Sequence, residues 1–191
     1  DSALVTRGRP FFIPDYTNEC EYEAELVVRI CRMGRSISER FAYRYYDAVT
    51  VGVDFTARDL QRELRAKGLP WDIAKGFDGS AVIGDFIDLN GDKTGAIEGS
   101  ANRFEEHPES NILTEGLKFH LDINGKTVQT GFSKDMIHSV DHIVSYLSKF
   151  FTLKTGDLIF TGTPVGVGQV HIDDHLEGWI NDQKVLEFNV K

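Results

Sequence analysis

Apolar and polar residues alternate with period two along residues 21–30. Tyr22, Ala24, Leu26, Val28 and Ile30 fall on one face, and Glu21, Glu23, Glu25, Val27 and Arg29 on the other. That period belongs to a strand with one face on a core. The β-branched run at residues 49–55 predicts a second strand ending near Asp54. A helix follows over 56–68: Thr56 stands as N-cap with Asp59 three residues on, Gly68 ends it and Pro70 prevents its resumption. Leu117, Phe119, Leu121 and Ile123 alternate up to Asn124-Gly125, and 126–130 follow, which predicts a tight hairpin. Ser139 precedes Val140, Ile143, Val144, Leu147 and Phe151, the 3.6-residue stripe of a second helix. Residues 158–161 read as a strand, and Leu186, Phe188 and Val190 after Asn181-Asp182 read as the end of a last hairpin. Shorter features are a turn of helix after Ser38, a brief strand at 81–84, an edge segment at Phe11-Phe12-Ile13 and a loop over 71–80. The polar stretch 90–116 reads as a surface insertion. The sum is a strand-rich α+β fold with two clear helices, in one domain spanning residues 1–191.

Composition narrows the function. Hydrophobic residues make up 41% of the 191, enough for a core, while a net charge of -9 argues against a nucleic-acid partner. No apolar run approaches the length of a membrane span. Cys20 and Cys31 lack metal-ligand or redox spacing and have no base beside them in sequence, so a reduced, cytoplasmic protein with inert thiols is the expectation.

The acidic face of the first strand carries the candidate chemistry. Glu21, Glu23 and Glu25 stack along one side, and like charges that close call for a cation or for raised pKa values. An isolated E-x-E is more often the solvent face of an edge strand. Here it has company: Asp54 at a strand end, Lys75 among apolar neighbours, and the glycine-rich loop 162–168. That loop lacks the G-K-[ST] of a phosphate-binding loop, and its glycines allow close backbone approach to a ligand. His171 and His175 are four apart but not in a helical pattern, and His138 and His142 read as capping or surface groups.

Four blocks together resemble the fumarylacetoacetate hydrolase family, in its order and spacing. They are Tyr22-Glu23-Ala24-Glu25-Leu26, residues 53–61 with Thr56-Ala57-Arg58-Asp59 and Gln61, Ala74-Lys75-Gly76-Phe77-Asp78, and residues 156–168. The resemblance runs from about Phe11 to the C-terminus. It implies a mixed β-roll catalytic domain, a homodimer, and Mg2+ or Mn2+ as cofactor, with Ca2+ an acceptable substitute. It makes Glu23, Glu25 and Asp54 the metal ligands, an all-oxygen set suited to hard cations. Lys75 becomes the group that stabilises an enolate, and Gln61, Arg58, Gly162 and Thr163 the substrate contacts. Arg58 is equally readable as an internal ion-pair partner, and Glu21 as a neighbour of the ligands or a surface group. The resemblance also implies a lid upstream of the position of Asp1, carrying a His and a Glu, so the general base is expected outside residues 1–191. The implied activity is hydrolysis of a C–C bond in an acylpyruvate or related 2-oxo acid. Isomerisation or tautomerisation of a 2-hydroxy-dienedioate, or decarboxylation of oxaloacetate, would use the same enolate. A domain that binds metal or ligand without catalysis is the alternative of another class.

Overall fold

The computed structural model describes residues 2–5, 8–89, 113 and 116–191. The expected insertion at 90–116 therefore lies outside the described residues, apart from Leu113 and Gly116.

The architecture is strand-rich α+β with few helices, as expected. The strands are β1 (Leu4–Val5), β2 (Cys20–Tyr22), β3 (Ala24–Ile30), β4 (Tyr46–Asp54), β5 (Thr56–Ala57), β6 (Ala81–Ile83), β7 (Ile87–Asp88), β8 (Lys118–Ile123), β9 (Lys126–Phe132), β10 (Leu158–Phe160), β11 (Gly168–Gln169), β12 (His175–Ile180) and β13 (Gln183–Asn189). The helices are α1 (Arg58–Ala66), α2 (Asp72–Lys75) and α3 (Val140–Phe150), with 3-10 turns at Glu39–Arg44 and Ser133–Asp135. One sheet runs β1-β6-β4-β3-β10, with β7 also on β4. It is mixed, because β1 pairs parallel with β6 while the other pairings are antiparallel. A second, antiparallel sheet runs β13-β12-β8-β9, and a small third runs β11-β2-β5.

The two larger sheets pack face to face through the residues whose alternation predicted them. Leu26, Val28, Ile30, Val49, Val51 and Val53 meet Phe119, Leu121, Leu176, Ile180 and Leu186 in one buried cluster. Each such side chain contributes about 1.5–3 kcal/mol. Phe11 and Phe55 stack at 3.6 Å between ring centroids, and Phe188 meets Phe55 edge-on. That aromatic cluster fixes the residue after Asp54.

Two main chains come close at Gly84, whose amide donates to the Val51 carbonyl. A Cβ there would lie 2.4 Å from the Val185 carbonyl oxygen of β13, a main-chain atom that cannot swing aside. Gly84→Ala is expected to destabilise the protein by about 2–3 kcal/mol, which thermal unfolding would show as a Tm drop of about 5–10 °C.

Three expectations need correction. The acidic strand is not continuous: Glu23 lies between β2 and β3, where the chain leaves the β5 pairing and joins β4. Thr56 does not cap α1. It lies in β5, its hydroxyl donates to Glu23 Oε1, and α1 begins after Ala57 without a side-chain cap. Asp59 instead accepts from the Thr17 hydroxyl and the Asn18 amide, binding the N-terminal segment to the helix. Third, residues 72–75 are a helical turn rather than loop. The Trp71 carbonyl accepts from the Ala74 and Lys75 amides, and Ala74 is fully buried. That turn sets the direction of Lys75. Three signals held in detail. Asn124-Gly125 joins β8 to β9, and Gly68, at φ +63°, ends α1. The Ser139 hydroxyl caps α3 by accepting from the His142 amide.

Candidate active site

The break at Glu23 creates the site. Glu23 sits in the break, Glu25 is the second residue of β3, and Asp54 ends β4. The Asp54 amide donates to the Glu23 carbonyl, which locks the strand end to the break. Glu23, Glu25 and Asp54 each offer a carboxylate oxygen, all within 4.8 Å of one another. Glu25 is 5% exposed.

Three like charges in so small a volume need compensation, and the chain supplies two cations. Lys75 Nζ donates to Asp54 Oδ2 at 2.6 Å and Glu23 Oε2 at 2.8 Å. Arg58 spreads its guanidinium over three acceptors: Nε to Glu21 Oε2 at 2.6 Å, one terminal nitrogen to Glu23 Oε1 at 2.5 Å, the other to Gln61 Oε1 at 2.6 Å. Glu25 has neither. Its Oε2 accepts the Gly162 amide at 2.6 Å.

The carboxyls respond differently. Burial pushes Glu25 up to about 7; the Gly162 amide opposes this, and the charges of Asp54 and Glu23 add to it. Burial also raises Asp54, against the opposing bond from Lys75. For Glu23, burial raises the pKa, but Lys75 and Arg58 outweigh it and leave the carboxyl below its ordinary range. Burial drives the Cys20 thiol up to about 12, with help from Asp59 and Glu21, so at neutral pH it is no nucleophile.

The structure thus brings Glu23, Glu25, Asp54, Lys75, Arg58, Gln61 and Gly162 together, with Thr163 next along the loop. Arg58 acts here as an ion-pair partner, and Glu21 is its third acceptor. The Gly162 amide is engaged by Glu25. The Thr163 hydroxyl donates to the Ala24 carbonyl, while its amide meets no acceptor among the described residues. Gln61 has its oxygen occupied by Arg58, and its amide nitrogen meets no acceptor among the described residues. A cavity of about 540 Å3 lies beside Gly162 and Thr163, with Leu26, Phe119, Met136 and Val165 in its walls. Among the described residues, no histidine joins the Glu23, Glu25 and Asp54 cluster. His175 does lie near Glu177 and Glu187, but Lys184 bonds both of those carboxylates at 2.8 Å. His142 pairs with Glu39 at the start of α3. Sequence reasoning missed Gln129, a buried amide on β9 that touches both Ala24 and Thr163.

A strand break presenting three carboxylates to a lysine and a glycine-rich loop, on a β-rich scaffold, defines a candidate hard-cation enzyme site. Residues 1–191 match the family described as Fumarylacetoacetate (FAA) hydrolase C-terminal, and the chain belongs to that family. It is 35% identical over 190 residues to the mitochondrial oxaloacetate tautomerase FAHD1 of Bos taurus, covering 100% of this chain and 77% of that protein. It is 34% identical over 176 residues to the oxaloacetate tautomerase YcgM of Escherichia coli K12, covering 92% of this chain and 72% of that one. Among solved structures it resembles a fumarylpyruvate hydrolase from Pseudomonas aeruginosa in complex with Mn2+ and pyruvate. That similarity has a TM-score of 0.82 and 34% identity, and covers 99% of this chain and 75% of that one. The relatives are enzymes, and so is this chain. Among the described residues, no helix is long and apolar enough to cross a membrane.

Proposed function

We propose that this protein is a divalent-metal-dependent enzyme that converts a small 2-oxo acid through its enolate, interconverting the keto and enol forms of a diacid such as oxaloacetate. The observation that carries this reading is the Lys75 ammonium lodged against two of three clustered carboxylates. The cluster is built for positive charge and holds a protein cation in its midst.

Glu23, Glu25 and Asp54 would hold Mg2+ or Mn2+, and the bound ion would supply Lewis-acid polarisation of the 2-oxo group. The donor set fits. It is all oxygen, its members already lie within one coordination sphere's span, and Glu25 lacks a cation of its own. Lys75 lends positive charge where the 2-oxo oxygen becomes anionic as a proton leaves the adjacent carbon. Arg58 holds Glu23 and the Gln61 oxygen in place, so Gln61 presents its nitrogen to a substrate oxygen. The Thr163 amide is available to the substrate carboxylate. Proton transfer between carbon and oxygen completes the keto–enol exchange with no other bond broken.

Hydrolytic C–C cleavage of an acylpyruvate, placed first by the family resemblance, becomes the second reading. It passes through the same enolate and needs in addition an activated water. The Pseudomonas relative, described as a fumarylpyruvate hydrolase with Mn2+ and pyruvate, favours it. The two tautomerase relatives, and the smaller demand of enolisation, favour the first. A homodimer belongs to the same proposal, and light scattering at twice the chain mass would support it.

The test follows the enol absorbance of oxaloacetate with Mn2+- or Mg2+-loaded protein, with acylpyruvate cleavage measured in parallel. Accelerated tautomerisation that EDTA abolishes is the expected result. A rate no greater than buffer on both substrates would overturn the reading. A pH effect follows from Glu25. In the metal-free protein it keeps its proton up to a pH of about 7, so proton and metal compete for it. Apparent Mn2+ affinity is expected to rise about tenfold per pH unit up to about 7 and to level off above, as calorimetric titration across pH 5.5–8.5 would show.

A further inference from the structure

Where β10 leaves β3, side chains take over the ladder. Phe160 pairs with Val27, and the Thr161 amide still reaches the Leu26 carbonyl. Beyond that the loop turns away. Both main-chain groups of Ala24, the residue between Glu23 and Glu25, bond to side chains instead.

The bonds form a closed ring. The Ala24 amide donates to Gln129 Oε1 at 3.0 Å. Gln129 Nε2 donates to Thr163 Oγ1 at 2.7 Å and to the Pro164 carbonyl at 2.7 Å. The Thr163 hydroxyl donates back to the Ala24 carbonyl at 2.8 Å. Its directions are forced. The Ala24 N–H can only donate, so it faces the Gln129 oxygen; the Pro164 carbonyl can only accept, so it faces the nitrogen. The Thr163 hydroxyl must then accept from Gln129 and spend its one proton on Ala24. Gln129 is 2% exposed and comes from the other sheet. The loop also lies directly on it: at Gly166, φ +117°, an added Cβ would meet Gln129 Cγ at 3.3 Å.

We propose that Gln129 is the positioning residue of this site, closing a ring with Ala24 and Thr163 that fixes the 162–166 loop against the Glu23-x-Glu25 segment. Its consequence for substrate rests on the proposed binding of a 2-oxo acid here. Because the ring consumes the Thr163 hydroxyl proton, the loop's donor to a substrate carboxylate is the Thr163 main-chain amide. The strand at Ala24 has a second anchor in β4, pairing with Val53, whereas the loop depends on the ring and on the Gly162–Glu25 bond. Losing Gln129 therefore loosens the loop more than the carboxylates.

The test compares wild type with Gln129→Leu, which keeps the bulk, and Gln129→Glu, which keeps the acceptor for Ala24 but removes both donors. In the metal-free proteins, amide exchange at Gly162 is expected to rise at least about tenfold in both variants, with exchange in β8 and β12 unchanged to show that the fold is kept. In the Mn2+-loaded proteins, pyruvate affinity is expected to fall at least about tenfold while Mn2+ affinity stays within about threefold. Unchanged Gly162 exchange in a folded variant would overturn the inference, and so would unchanged pyruvate affinity in Mn2+-loaded variants whose loop has loosened. Failure of wild type to bind Mn2+ would sink the proposed function instead, and the exchange result would still decide whether Gln129 holds the loop.

Discussion

Lys75→Met is expected to lower kcat by about 100- to 1,000-fold, the scale of losing one pre-set donor to a developing oxyanion. It should also tighten Mn2+ binding. The Lys75 ammonium bonds Glu23 and Asp54 in the metal-free protein and so competes with the ion for the same oxygens. Opposite signs for turnover and metal affinity separate this role from a structural one, in which both would decline. Removing the ammonium strips Asp54 of its cation and leaves Glu23 with Arg58 alone. The metal-free variant should be about 3 kcal/mol less stable, and Mn2+ should restore more stability to it than to wild type. Thermal unfolding with and without Mn2+, beside steady-state kinetics, would show all three effects. A variant with lowered Mn2+ affinity would contradict this role for Lys75.

The second large effect is expected from Glu25→Gln. Glu25 is buried, without a cation, and its folded pKa is raised from 4.5 to about 7. For an acid whose folded pKa is raised, the native state holds the proton more tightly than the unfolded chain. Metal-free stability therefore falls as pH rises from about 4.5 to about 7, and at pH 8 the full cost is present. The neutral amide keeps an oxygen for the Gly162 N–H and removes that cost. At pH 8 the metal-free variant should be about 2 kcal/mol more stable, a Tm gain of about 5 °C. It should also lose the stabilisation that Mn2+ gives wild type. A residue that destabilises the empty protein and stabilises the loaded one is placed for binding rather than for folding.

The sheets were legible because their periodicity survives in the structure. Tyr22, Ala24, Leu26, Val28 and Ile30 all face the core as the alternation required. The break at Glu23 was not, since a one-residue interruption that changes partner strands keeps every side chain on its expected face. Thr56 misled because a good cap residue serves equally well as a two-residue strand whose hydroxyl reaches a carboxylate. The turn carrying Lys75 is too short for a 3.6-residue stripe. Gln129 was hidden by a bulge. Counting back from Asn124-Gly125 puts Val128 opposite Leu121, but the register shifts between Leu121 and Asp122 and puts Gln129 there. The carboxylates, Lys75 and the loop were found through motifs and resemblance. The pattern alone gave an acidic face, and only the fold brings Asp54 and Lys75 to it across more than twenty residues of chain.

In the proposed function, Glu23, Glu25 and Asp54 together hold one divalent cation. Calorimetric titration of Mn2+ into wild type and Asp54→Asn at pH 8 tests it most directly. One Mn2+ per chain is expected in wild type, and binding at least about 100-fold weaker in the variant, since losing a ligand should cost more than losing its supporting partner. Wild type that binds no Mn2+, or Asp54→Asn that binds it as tightly, would contradict it.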